Sequence, residues 1–408
     1  MGDAVYQLLV ALGGHGQNPP SGPKFTGDDS ARGVLLLSTT STGGGALELH
    51  GRVVAGEQTA DWLIGANTDR LYRVASKALL PQFGGGASVG RPDDSCSIGG
   101  DVSASGRFAL RYGNGEVATV SLQRGDVVGP VGTTRGLLPH FDGKFEPHLA
   151  DRQARSTPHQ AKFHPSKPFV LVPDLGCDVV WCYPYDDTTG ELGSTPTWLT
   201  LPKGSGPRHL DFSPSGDHVY INCELDANVV TASFARTGAM AIVHRALALP
   251  KGLIESLPGT GEDPPWDGEG VLSPLLRGGS KGNSHIRCSA DGRFVYSATR
   301  TDQSLTVFAV LDGGSTLSQI QHISCGGTCP VHFALTPSWL FCANQDSQDI
   351  VTFAIAADGS LTQYHTLKLP GSPTYIAAPF VGARDLLGVT DLTDVAVEDL
   401  SGLTRAML

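Results

Sequence analysis

"SHIRCSADGRFVYSATRTDQSLTVFAV" (284–310) and "PRHLDFSPSGDHVYINCELDANVVTASF" (207–234) follow one plan. Each places a basic residue in an apolar run, then a Ser-x-x-Gly turn, an aromatic strand, a short polar cluster and a further apolar strand. Four more segments fit: "TADWLIGANTDRLYRV" (59–74), "SCSIGGDVSASGRFALRYGNGEVATVSL" (95–122), "TPHQAKFHPSKPFVLVPDLGCDVVWCYPY" (157–185) and "CPVHFALTPSWLFCANQDSQDIVTFAI" (329–355). Tyr72, Leu110, Leu171, Tyr220, Tyr296 and Cys342 mark equivalent strand positions, 38, 61, 49, 76 and 46 residues apart. That scale suits one propeller blade per unit better than one turn of a solenoid.

Each unit supplies four short strands, and one such sheet cannot bury both its faces. Stacking the sheets radially solves this and turns the first strand of every unit toward a central channel. The chain begins with the later strands of a unit, "VYQLLVALGG" and "RGVLLLSTTSTGGGALELHGRVV", and the lone strand "SPTYIAAPF" (372–380) comes near its end. Joining them gives a composite blade that seals a ring of seven. The expected fold is therefore all-β, one seven-bladed β-propeller domain of four-stranded antiparallel blades over 1–408. Its repeats run from about 5 to 380, interrupted by a Pro- and Gly-rich insertion at 250–284 that could cover a channel mouth and followed by an extension at 381–408.

Composition agrees with this reading. Gly 52 and Pro 27 supply turns, while charged residues at 17% and the lack of a long helical apolar pattern argue against a helical protein. A net charge of −11 without a basic run excludes a nucleic-acid surface, so an anionic ligand needs a local basic group. No apolar stretch reaches about 18 residues and no basic segment precedes "VYQLLVAL", from which no membrane partner and a cytoplasmic location are expected. The terminal "AML" resembles a peroxisomal address only loosely, since it lacks the central basic residue. Cys182, Cys223, Cys288 and Cys342 sit in or beside apolar strands and read as reduced thiols, as does the loop pair Cys325 and Cys329 in "CGGTC".

The first strands carry the chemistry: His159, Arg208 and His209, His285 and Arg287, and His332, with Glu224 following the second strand of the blade of Arg208. Polar side chains on an inner strand are costly unless they meet water, a ligand or one another. They could line a wet channel; as a set in an acidic chain they point to an anionic small molecule. Gly216 and Gly292 read as turn residues, and Asp226 with Asn228, Asp302 with Ser304 and Asp346 with Ser347 as local turn bonds. No nucleophile elbow, zinc-protease helix or phosphate loop is present.

The ordered set "VPDLG", "GPRH", "NCEL" and "ANQDS" strongly resembles the seven-bladed propeller lactonase family, over most of residues 5–380. That family includes bacterial propeller-type 6-phosphogluconolactonases and fungal carboxy-cis,cis-muconate cyclases. The resemblance implies an active-site group of His159, Arg208, Glu224 and Arg287; His209, His285 and His332, on the same inner strands, read as substrate-binding neighbours, and lactone opening demands neither cofactor nor metal. The chain departs from the family at Thr157, where a further histidine is frequent, at His285, where Glu is frequent, and in its longer insertion. The reaction implied is hydrolysis of a sugar lactone, 6-phosphogluconolactone first, in the oxidative pentose phosphate route. Glu224 would serve as the base, with His159 the alternative, and Arg208 and Arg287 would hold phosphate or oxyanion. A lactonizing cycloisomerase would use nearly the same residues; a non-enzymatic scaffold would instead show apolar rim loops.

Overall fold

The computed structural model describes residues 150–250, 282–369 and 371–376 without a break. It also describes the strands at 5–13, 33–40, 48–55, 61–64, 71–74, 380–381 and 395–399 and most of 101–130. The insertion therefore lies almost wholly outside the described residues.

Four consecutive sheets repeat one topology, four antiparallel strands in sequence order. The first runs through Lys162–Phe163, Phe169–Asp174, Val179–Pro184 and Thr197–Thr200. The second comprises Pro207–Phe212, His218–Cys223, Asn228–Phe234 and Met240–Leu247. The third comprises Asn283–Cys288, Phe294–Thr299, Ser304–Leu311 and Thr316–Ser324. The fourth comprises Pro330–Leu335, Trp339–Asn344, Asp349–Ile355 and Leu361–Lys368. The second strand is buried on both faces in each case, because blades press on it from either side. Its sequence is accordingly a continuous apolar run, whereas the outermost strands are mostly exposed or half-buried.

Burial follows the blade interfaces. Leu171, Val180 and Cys182 of the first blade pack with Leu210, Val219 and Ile221 of the second. Tyr220 and Val229 meet Ile286, Val295 and Phe308 of the third, and Tyr296 and Val307 meet Phe333, Leu340 and Phe353 of the fourth. Phe341 and Ile350 then meet Val10, Leu47 and Ile376 of the composite blade. Each such side chain contributes about 1.5–3 kcal/mol on leaving water. The turns behave as their sequence requires: Gly216 and Gly292 have φ of 71° and 73°, and their amides bond Ser213 O and Ser289 O at 2.8 and 2.9 Å. Asn228 N donates to Asp226 Oδ1 (2.9 Å) and Ser304 Oγ to Asp302 Oδ1 (2.5 Å), whereas Ser347 Oγ instead accepts from Thr328 N (2.9 Å).

The composite blade forms as the sequence implies. Ser372–Ile376 pairs with Val5–Gly13, which pairs with Gly33–Thr40 and then Glu48–Ala55. The tail, which the repeat leaves unexplained, adds Val395–Asp399 antiparallel to the outer edge of Glu48–Ala55 and covers that edge. One expectation changes. The units at 59–74 and 95–122 share a single sheet, in which Leu71–Val74 lies parallel to Asp126–Pro130 through Arg73 and Asp126. The first of these units brings only two described strands of four residues, and an unpaired edge is satisfied by the neighbouring unit. The seven cysteines described, Cys325 and Cys329 included, are free thiols.

Candidate active site

Three inner strands share a bulge. Pairing shifts by one residue between Pro207 and His209, between Asn283 and His285, and between Pro330 and His332. A bulge of this kind re-aims the side chains beside it. It brings the three histidines into one ring with His159, which precedes its strand and is tied by His159 N to Pro173 O at 3.0 Å. Ring centroids run 5.5 Å from His159 to His209, 5.1 Å on to His285, 3.8 Å on to His332 and 4.2 Å on to Tyr375. All four predicted histidines are thus brought together.

Their hydrogen bonds fix the protons. Arg208 Nη1 donates to His209 Nε2 (3.3 Å), so that ring keeps its hydrogen on Nδ1 and donates it to His285 Nδ1 at 2.8 Å. His285 then carries its own hydrogen on Nε2, and so does His332, whose Nδ1 accepts from Ile376 N (3.3 Å). Burial holds these rings neutral: His159 is pushed down to about 3 by burial and then Arg208, and His209, His285 and His332 lie well below the ordinary value, burial again leading.

Glu224 sits just beyond the strand His218–Cys223, its amide bonded to Gly206 O at 2.8 Å and its side chain sealed from solvent. Three guanidiniums surround it: Arg152 Nη2 at 2.6 Å, Arg208 Nε at 2.8 Å and Arg300 Nη2 at 3.0 Å. Burial alone would raise this carboxyl, but Arg300, Arg152 and Arg208 together hold it far below the usual range. A carboxylate so strongly stabilised as an anion is a weak proton acceptor; His159 is weakened too, by burial and then Arg208, but unlike Glu224 it is not locked into ion pairs, which favours His159 over Glu224 as base.

The sequence reading missed Arg152 and Arg300. Arg300 follows the strand Phe294–Thr299 just as Glu224 follows its own, so "ATRTDQ" set under "NCELDA" would have revealed it. Its amide and Nε both donate to Gly282 O, at 3.1 and 3.3 Å, and a Cβ on Gly282 would meet Glu224 O at 1.8 Å, so only glycine fits between them. Arg152 lies on the short helix Ala150–Gln153, outside every repeat, where Gln153 Nε2 anchors it to Leu175 O (3.0 Å) and Asp178 Oδ1 (2.8 Å). No repeat could signal it.

Arg287 is not part of this group. It lies two residues beyond His285, a step of about 6.6 Å along a strand, and faces Asp211 Oδ2 at 3.3 Å. Asp211 also pairs with Lys162 and accepts from Cys288 N (2.9 Å). The channel is therefore layered: arginines around Glu224, then neutral histidines, then Lys162, Asp211 and Arg287. The expected convergence of Arg208 and Arg287 on one point gives way to this layering because inner-strand residues of different register cannot occupy one level.

These shifts set an acid sensitivity. His159, His209, His285 and His332, with His164 pushed down to about 4 by burial, bind protons when unfolded that they refuse when folded. Their contribution is full above the unfolded value of about 6.5 and is lost as pH falls. Asp226, raised to about 6 by burial, and Asp178, also raised, act in the opposite sense but number two against five. The urea midpoint is expected to fall between about pH 7.5 and pH 5.5; a midpoint that held or rose would contradict neutral histidines.

Residues 26–377 match the family model described as Lactonase, 7-bladed beta-propeller. An uncharacterized protein of Staphylococcus saprophyticus is 29% identical over 70% of this chain and 71% of its own length. A 6-phosphogluconolactonase of Bacillus subtilis is 26% identical over 63% of this chain and 65% of its own. Among solved structures, a periplasmic gluconolactonase of Pseudomonas aeruginosa superposes with a TM-score of 0.64 at 20% identity, covering 93% of this chain and 99% of that one, and so shares the fold. No helix among the described residues is long and apolar enough to cross a membrane.

Proposed function

Since the chain belongs to the Lactonase, 7-bladed beta-propeller family, we propose that it hydrolyses the ester of a sugar lactone, with 6-phosphogluconolactone the first candidate. The observation that carries this reading is a neutral histidine, His159, beside the cationic Arg208 and its partners. His159 takes a proton from the attacking water while the carbonyl oxygen gains charge within reach of Arg208. The ring C–O bond then breaks, the proton passes from His159 to the departing ring oxygen, and a carboxylic acid forms that ionises at neutral pH. Guanidinium stays charged and planar throughout, which suits it to an oxyanion. Glu224 holds the arginines in place instead of moving protons. The relative from Bacillus subtilis, itself named a 6-phosphogluconolactonase, supports this choice of substrate.

A second reading rests on the Lys162, Asp211 and Arg287 layer, whose two cations exceed its one carboxylate. With the arginines beyond the histidines it would suit a dicarboxylate, the substrate of a lactonizing cycloisomerase. Freshly generated 6-phosphogluconolactone, coupled to 6-phosphogluconate dehydrogenase and corrected for spontaneous opening, separates the two. Acceleration by the folded protein is expected; background rates with turnover of a muconate would give the second reading the place of the first.

A further inference from the structure

Among the described residues, three guanidiniums and one carboxylate leave an excess of two positive charges around Glu224, in a place where Arg208 and Arg300 are nearly sealed from solvent. The nearby ring offers no compensation, since His159 and His209 are neutral. Arg208 already feels the crowding: burial and then Arg300 push it down to about 10. Buried cations of one sign are held together at a cost unless an anion completes the group.

Glu224 is itself too small a counterion for all three. The guanidinium nitrogens nearest Glu224 Oε2, Arg208 Nε and Arg300 Nη2, approach it closely without the alignment of a hydrogen bond, and both are buried. Arg152 differs from its neighbours in exposure. Its side chain is 41% exposed against 11% and 8% for Arg208 and Arg300, so it is the member of the group that meets solvent.

We infer that Arg152 and Arg300, beyond the Arg208 that faces the carbonyl oxygen, form the subsite for a dianionic phosphate ester and select a phosphorylated over an unphosphorylated substrate. This inference rests on the sugar-lactone reading for its substrate and moves the phosphate away from Arg287. A phosphate monoester carries about two negative charges at neutral pH and three acceptor oxygens. It would balance the excess charge and give the misaligned Arg300 Nη2 an acceptor of suitable geometry. Arg152, lying outside the repeat, supplies a contact that the propeller framework alone does not provide.

The test measures binding and so does not depend on turnover. Affinities for 6-phosphogluconate and gluconate are determined calorimetrically for the wild-type protein and for Arg152→Ala, a change at an exposed position that leaves Glu224 two partners. The wild-type protein is expected to prefer 6-phosphogluconate, and the preference to shrink about 10- to 100-fold in the variant, as befits one lost charge-assisted contact. Arg300→Lys, which keeps the charge but loses the fork, should lower the same ratio. An unchanged ratio in folded Arg152→Ala, or a wild-type protein without preference, would overturn the inference. Selective, Arg152-dependent binding without lactone hydrolysis would leave the subsite standing and remove the lactonase reading.

Discussion

Glu224→Gln is expected to lower the free energy of unfolding by about 3–5 kcal/mol, the range seen when one member of a buried ion pair is removed. The amide keeps the shape of the side chain but leaves Arg208 and Arg300 without their counterion at 2.8 and 3.0 Å. Arg152 contributes least to this loss, because its exposed side chain can turn to water. A urea titration at fixed neutral pH measures the effect. Activity should fall as well, since Arg208 would no longer be held toward the histidine ring. The informative comparison is between the two quantities: a large loss of turnover with an unchanged unfolding midpoint would return the base role to Glu224.

His159→Gln carries the opposite signature. A positioned base typically contributes about 10²–10⁴-fold in rate, and a loss of that size in kcat is expected with an unfolding midpoint close to that of the wild type. His159 lies outside the strands with part of its side chain reaching solvent, although its ring is set among neighbours that bury Nδ1, and its backbone bond to Pro173 O survives the change. The pH profile adds a second readout. With the ring neutral down to about pH 3, turnover should show no protonation limb at the ordinary histidine value of about 6.5 before the fold itself gives way. Retention of more than a tenth of wild-type turnover would remove His159 from the mechanism and leave the propeller and the arginine group as they stand.

The repeat made most of the architecture legible. A tight turn between two apolar runs, Ser-x-x-Gly at 213–216 and 289–292 and a Pro-Ser turn at 164–167 and 336–339, predicts the four blades found between Thr157 and Ile355, and the stray strand at 372–380 predicts the composite blade that its pairing with Val5–Gly13 produces. Placement of His209, His285 and His332 around one axis was equally readable, because equivalent positions in equivalent units face the same way; His159 stands one place earlier, at the position equivalent to Arg208. The joining of 59–74 with 95–122 was not readable, since short strands show which face is apolar but not which edge they will pair.

The arginine group marks where sequence ends. Periodicity reports the direction of a side chain relative to its own strand; it carries nothing about where a long guanidinium from another blade will come to rest. Thus Arg287, on the expected strand, lies a layer away beside Asp211, while Arg300 from the next blade and Arg152 from a helix outside the repeat close on Glu224. The same holds for charge. Glu224 reads as a base while it is one letter in "NCEL", and its proton affinity depends on burial set against three cations drawn from separate parts of the chain. The sequence by itself determined the repeated blades and the inward histidines, through local periodicity. Only the tertiary structure decided which charges meet, because electrostatic energies depend on distances across the channel that no spacing along the chain encodes.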